Sequence, residues 1–246
     1  MILILIMDFP VILVAGASGT GKTTWIQQQG LNSSIAYCSL GSDGIAIDAT
    51  YLTTEMSSIN VFSDLTELLS LRVPVYLEVS AQLDLDSLTI PLGHFQKLAI
   101  VAPNTNDTEW HRWADRIVVG IQAAKGSQIW RSNLSGQVLD PASLDTFWDE
   151  LIEGAYGTIQ RAKGIFEVVD GRAFHFNYVQ GHETNYTELN VARSFKGRPD
   201  RFSGIEVVGE AFDQTAIKQT LQDCCLADDA LAYYQHQIRQ SLEIPA

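Results

Sequence analysis

Sulfur and positive charge are both scarce in this chain. Among 246 residues there are three cysteines, Cys38, Cys224 and Cys225. Two of them are adjacent, and neighbours rarely bridge, so no disulfide framework is implied and a reducing, cytoplasmic setting fits best. Sixteen basic side chains against 29 acidic ones leave a net charge of −13. Such a surface repels phosphate backbones and anionic lipid heads, which argues against nucleic acid and membrane as partners. Long apolar runs are missing too. The start MILILIMDFPVILVAG is interrupted by Asp8 and Pro10 and falls short of the roughly 20 residues that a membrane helix needs. It reads as a strand with an upstream extension, and Met1 and Met7 are both candidate starts. The five histidines show no ligand spacing of the H-x-x-x-H kind, although His175 and His182 could meet across a hairpin turn.

Hydrophobic residues make up 46% of the chain, enough for one large domain or two small ones. Val11 to Ala15 is a short β-branched run that ends in a glycine-rich turn, as expected of a strand buried on both faces of a parallel sheet. Similar runs follow at SIAY, VPVYLEV, KLAIVAP and RIVVGI, and segments that can be helical (TTWIQQQ, FSDLTELLSL, NDTEWHRWA) lie between them. This alternation predicts an α/β fold with a parallel sheet. From about Ala155 the texture changes. KGIFEVVDGRAFHFNYVQG reads as two strands around the turn signal Asp170-Gly171, followed by a strand in FSGIEVVGEAF and a helical stretch from Asp213 to Ser241. The expected boundary lies at LIEGAYGTIQ, giving a nucleotide-binding domain over 1–153 and a smaller α+β domain over 154–246. Within FWDELIEGAY the apolar positions recur at helical spacing, which predicts a core stripe.

The most specific signal is Gly16, Ala17, Ser18, Gly19, Thr20, Gly21, Lys22, Thr23, which fits G-x-x-x-x-G-K-S/T between a predicted strand and a predicted helix. Glycines let backbone N–H groups converge on phosphate oxygens at a helix N-terminus, where the macrodipole is positive. Gly16, Ser18, Gly19, Thr20, Gly21, Lys22, Thr23 and Thr24 are therefore the candidate nucleotide-binding residues. Lys22 is expected at the β- and γ-phosphates and the Thr23 hydroxyl on Mg²⁺. A carboxylate is needed beside that ion, and Glu78 ends the apolar run VPVYLEV, where parallel sheets place their ligands. Glu78 reads either as a magnesium ligand or as a solvated strand-end residue. Asp48, in GSDGIAIDATYL, is a candidate to orient the attacking water, with a mobile surface loop as the bland alternative. Cys224 and Cys225 fall in the terminal helical stretch and read as core residues rather than ligands.

Beyond the phosphate loop, RAKGIFEVV (Arg161 to Val169) and RPDRFSGIEVVGEAFDQTAIKQTLQDCCL resemble the C-terminal domain of the CobW-type metallochaperone GTPases. In the first domain YCSLGSDGIAIDATYL is similar to that family's switch segment Asn-Glu-Phe-Gly…Ile-Asp, LEVSAQLD to its Glu-Thr-Ser-Gly-Leu-Ala-Asp, and WADRIVVG to its Ala-Asp-Arg-Ile-Val strand. The resemblance implies a phosphate-loop GTPase whose nucleotide state governs delivery of zinc or cobalt to a metalloprotein client, acting alone or as a homodimer.

Departures from the family's pattern narrow that implication. TTEMSSINVFSDL has no cysteine where the family's Gly-Cys-x-Cys-Cys motif belongs, so no transition-metal site is expected there. Gly120, Ile121, Gln122 and Ala123 stand where an Asn-Lys-x-Asp motif should read guanine. Without the aspartate, selection of GTP over ATP loses its usual basis. Ser39 occupies the position of the switch glutamate, and Ala81 that of a glycine. The reading reached from sequence is Mg²⁺-dependent binding and slow hydrolysis of a nucleoside triphosphate, GTP first and ATP second. Its rivals are a nucleotide-dependent binding module without useful turnover and a small-molecule kinase.

Overall fold

A computed structural model describes residues 9–42, 44–68, 71–90, 94–121 and 128–242. The chain divides into two compact units, Met1–Ala124 and Lys125–Ala246. The candidate starts Met1 and Met7 lie outside the described residues, as do Gln122 and Ala123.

The first unit contains β1 (Val11–Ala15), α1 (Lys22–Gly30), β2 (Ile35–Leu40), α2 (Ile47–Glu55), β3 (Ile59–Phe62), α3 (Leu65–Leu68), β4 (Val75–Val79), β5 (Gln96–Val101), α4 (Glu109–Trp113) and β6 (Arg116–Val119). Its six strands pair in the order β3-β2-β4-β1-β5-β6, and every pairing is parallel, as the alternating pattern predicts. β1 lies inside the sheet between β4 and β5. Its alternate residues feed two separate cores: Leu13 packs with Leu77 and Val79, whereas Val14 packs with Ile26, Tyr37 and Ile100. A strand with apolar neighbours on both faces has no room for alternation, which is why VILVA is uninterrupted. α2 and β3 were not foreseen, because IDATYLTTE and INVF carry weak periodicity.

The second unit contains β7 (Gln128–Asn133), α5 (Pro141–Glu153), β8 (Thr158–Glu167), β9 (Ala173–Val179), β10 (Asn185–Glu188), β11 (Gly204–Glu210), α6 (Gln214–Asp223) and α7 (Asp228–Ser241). Its antiparallel sheet runs β10-β9-β8-β11-β7. Trp148 on α5 is fully buried, with the rings of Phe176 and Phe166 edge-on at 5.1 and 6.0 Å. Leu144, Phe147 and Leu151 complete the predicted stripe. The Asp170-Gly171 turn joins β8 to β9, with Glu167 paired to Ala173 and Gly171 at φ 82°.

Three expectations are corrected here. The boundary does not fall at 153/154: β7 and α5 belong to the second unit, and the two units are of nearly equal length. LIEGAYGTIQ reads like a linker because Gly154 ends α5 in the left-handed conformation, at φ 91°. It is instead a packed turn, with the Tyr156 hydroxyl donating to Glu150 at 2.6 Å. The helical stretch from Asp213 to Ser241 is two helices. Their break follows from Leu226 N–H donating to Val138 O and from a bridge between Cys225 and Leu139. His175 pairs with Ile165 and Thr187, whereas His182 stays in the turn after β9, so the two do not meet across a hairpin.

Candidate functional site

The chain leaves β1 into a turn whose shape depends on glycine. Gly16, Gly19 and Gly21 have φ of 145°, 84° and 93°, values that side chains disfavour. At Gly16 a methyl group would also lie 2.2 Å from the Ile100 carbonyl oxygen. Thr20 is fully buried and its hydroxyl donates to Ala17 O at 3.0 Å, so it shapes the turn and does not present that hydroxyl outward.

α1 then begins without the usual side-chain cap, its N-cap being Gly21. Trp25 N–H, which donates to Gly21 O at 2.9 Å, makes the first intrahelical bond. The N–H groups of Lys22, Thr23 and Thr24 precede it and have no acceptor within the helix, an arrangement that favours an anion. The first turn carries no acidic residue that would compete. Lys22 is only 8% exposed, and its ammonium spans the turn, donating to Gly16 O at 3.0 Å and Ala17 O at 3.2 Å.

On the other side of α1's start, Thr23 Oγ1 donates to the Glu78 carboxylate, at 3.1 Å from Oε2 and 3.3 Å from Oε1. Glu78 pairs in register with Val14 on β1 and Ser39 on β2, which sets it at the carboxyl end of the sheet. It is 7% exposed and is not the solvated strand-end residue of the alternative reading. Sequence reasoning missed Tyr37. Its fully buried ring sends the hydroxyl to Glu78 Oε2 at 3.0 Å. Burial, followed by the charges of Glu78 and Asp48, pushes this phenol well above its ordinary range. The available signal was a tyrosine inside the apolar run IAYCSL, since a buried phenol must find a partner. Asp48 lies in the first turn of α2 rather than in a loop, near enough for its charge to act on Tyr37.

At the far wall, Gly120 N–H donates to Val101 O and Ile121 N–H to Thr20 O, at 2.8 and 3.1 Å. A side chain at position 120 would begin 2.1 Å from Thr20 O. Ile121 is thus tied by its backbone to the turn that follows β1, and glycine is required at position 120.

The three cysteines are not gathered. Cys38 and Cys224 are buried, Cys225 is partly so, and burial raises all three thiols, Cys224 to about 11. Among the described residues no group of three or more His, Cys, Asp or Glu side chains converges as for a metal ion. A magnesium site asks for less, because Mg²⁺ is held by one or two carboxylates together with water and substrate phosphates. The hard oxygen donors Thr23 and Glu78 fit that ion.

In the second unit, Lys163 of the RAKG segment and Arg131 flank Glu206 across β8, β11 and β7, at 3.3 and 2.8 Å. Residues 132–225 match the model of the cobalamin synthesis protein CobW C-terminal domain. The match runs from the last two residues of β7 through α6 and includes β8, β9, β10 and β11. Two solved structures are similar to the chain at lower likeness. Zn(II)-bound YjiA GTPase from E. coli is 12% identical with a TM-score of 0.34, over 88% of this chain and 98% of that one. A Zn(II)-bound triple mutant of YjiA GTPase is 11% identical with a TM-score of 0.34, over 89% and 99%. No curated protein matches the sequence. Among the described residues no helix is long and apolar enough to cross a membrane.

Proposed function

We propose that the first unit binds a nucleoside triphosphate with Mg²⁺, GTP before ATP, and hydrolyses it slowly, and that the CobW C-terminal domain couples this to metal homeostasis or delivery in the cytoplasm. The observation that carries the reading is the Thr23–Glu78 contact beside the Lys22-spanned turn, because it unites a phosphate cradle and a hard-cation site at one helix start. Backbone N–H groups from Gly19 to Thr24 would receive the phosphates, and Lys22 would exchange its carbonyl acceptors for phosphate oxygens. Thr23 and Glu78 would hold Mg²⁺, which when bound neutralises charge on the β- and γ-phosphates. Asp48, at the start of α2, is the residue proposed to orient the attacking water.

Equilibrium binding of GTP, ATP and their non-hydrolysable analogues with Mg²⁺ tests this, with phosphate release followed in parallel. GTP-preferring binding that Lys22→Ala removes, together with measurable release, is the expected result. Binding without release would favour the second reading, a nucleotide-dependent switch. The observation behind that reading is Ser39, a neutral residue directly opposite Glu78 where the resembled family has a carboxylate. Delivery of zinc or cobalt through thiols is tested by metal affinity of the reduced protein against a variant with all three cysteines changed to serine. Equal affinities would remove the thiols from the mechanism.

A further inference from the structure

We propose that Tyr37 is a positioning residue that fixes the rotamer of Glu78 for its cation, an inference that rests on the nucleotide-binding reading above. Tyr37 lies on β2 in the core formed by Val14, Ile26, Leu52 and Tyr76, with no exposed surface. Its hydroxyl, the single polar atom of a side chain otherwise packed in hydrocarbon, ends on Glu78 Oε2 at 3.0 Å. Thr23 approaches the same carboxylate from α1. The carboxylate is therefore held by two hydroxyls from different elements. The two are not equivalent. Thr23 sits at a partly exposed helix start beside the phosphate turn and can turn its oxygen to an ion. Tyr37 is locked in close packing and cannot follow. Were Glu78 to swing away, the phenol would lose its carboxylate acceptor and keep only its contact with the Ser39 side chain in a core that is otherwise apolar, which is costly. Tyr37 thus selects one carboxylate orientation, and the ion inherits it, as outer partners of metal ligands commonly do.

The test is a Mg²⁺ titration of the full chain with a fluorescent non-hydrolysable GTP analogue, reading binding rather than turnover. Wild type, Tyr37→Phe, Glu78→Gln and the double variant are compared. Tyr37→Phe should raise the Mg²⁺ midpoint about tenfold and should have no further effect once Glu78 is glutamine. An unchanged midpoint in Tyr37→Phe overturns the proposal, and so does an equal shift in the Glu78→Gln background, which would mark a general structural effect. If wild type itself binds no nucleotide, or binds it indifferently to Mg²⁺ and to Glu78→Gln, the nucleotide reading fails and takes the proposal with it. That outcome is distinct, because the failure is already seen in the unmodified protein. Should Tyr37→Phe not fold, NMR of ¹³C-labelled tyrosine in wild type replaces it. A Tyr37 ring signal that shifts with Mg²⁺ in the presence of the analogue supports the proposal, and one that stays still overturns it.

Discussion

Glu78 in the first unit and Glu206 in the second are buried to nearly the same degree, 7% and 8% exposed, yet their surroundings differ in kind. Glu206 sits between the cations of Arg131 and Lys163. Hydroxyls of Thr23 and Tyr37 reach Glu78. Cations close a buried charge in place, and the cluster becomes part of the sheet. Hydroxyl donors from two different elements orient the Glu78 carboxylate at the start of α1, beside the glycine-rich turn. On the proposed function, the difference separates a scaffold residue from a site residue at equal depth.

Four measurements would break or sharpen that contrast. Glu206→Gln should leave two cations without their anion and cost about 3 kcal/mol of stability, whereas Glu78→Gln should change it by less than about 1 kcal/mol. Denaturant unfolding of both variants decides, and equal costs would erase the distinction. Next in size, Lys22→Ala should weaken triphosphate binding about a hundredfold, in line with the loss of charge-assisted hydrogen bonds, with no comparable loss of stability. Retained affinity would mean that the turn is not the phosphate site. Smaller again, Asp213 caps α6 by accepting from Thr215 N–H and Ala216 N–H at 2.9 and 3.0 Å. Asp213→Ala should cost about 1 kcal/mol and leave nucleotide affinity untouched. Last, a thiol at about 11 is protonated throughout the neutral range. Alkylation of Cys224 should therefore still be accelerating with pH at about pH 10, because only the thiolate reacts. A rate that levels off near neutrality would show an activated thiol and reopen metal delivery through sulfur.

Much of this contrast was legible in part. RAKG and IEVVGE could be read as strands, and Lys163 and Glu206 lie in them. Their pairing could not be read, because it depends on β8 and β11 being neighbours across some forty intervening residues. The misplaced boundary has a similar origin. A glycine-rich stretch looks alike whether it links domains or caps a helix, and only the packing of Tyr156 against Phe147, ring centres 6.1 Å apart, tells the two apart. QIWRSN and NYTE escaped notice because four to six residues with mixed polarity leave no period to detect, and they become strands by joining a sheet that longer runs have already formed.

The sequence by itself determined the strand–turn–helix unit from Val11 to Gly30 and the identity of Lys22 and Thr23 within it, because the glycine conformations and the helix start are local properties of contiguous residues. Tertiary structure alone decided that Glu78 meets Thr23 across 55 residues and Tyr37 across 41, that Asp48 begins a helix, and that the second unit starts before β7. These depend on strand order and register, which follow from burying two faces of a sheet at once and leave no mark at any single position.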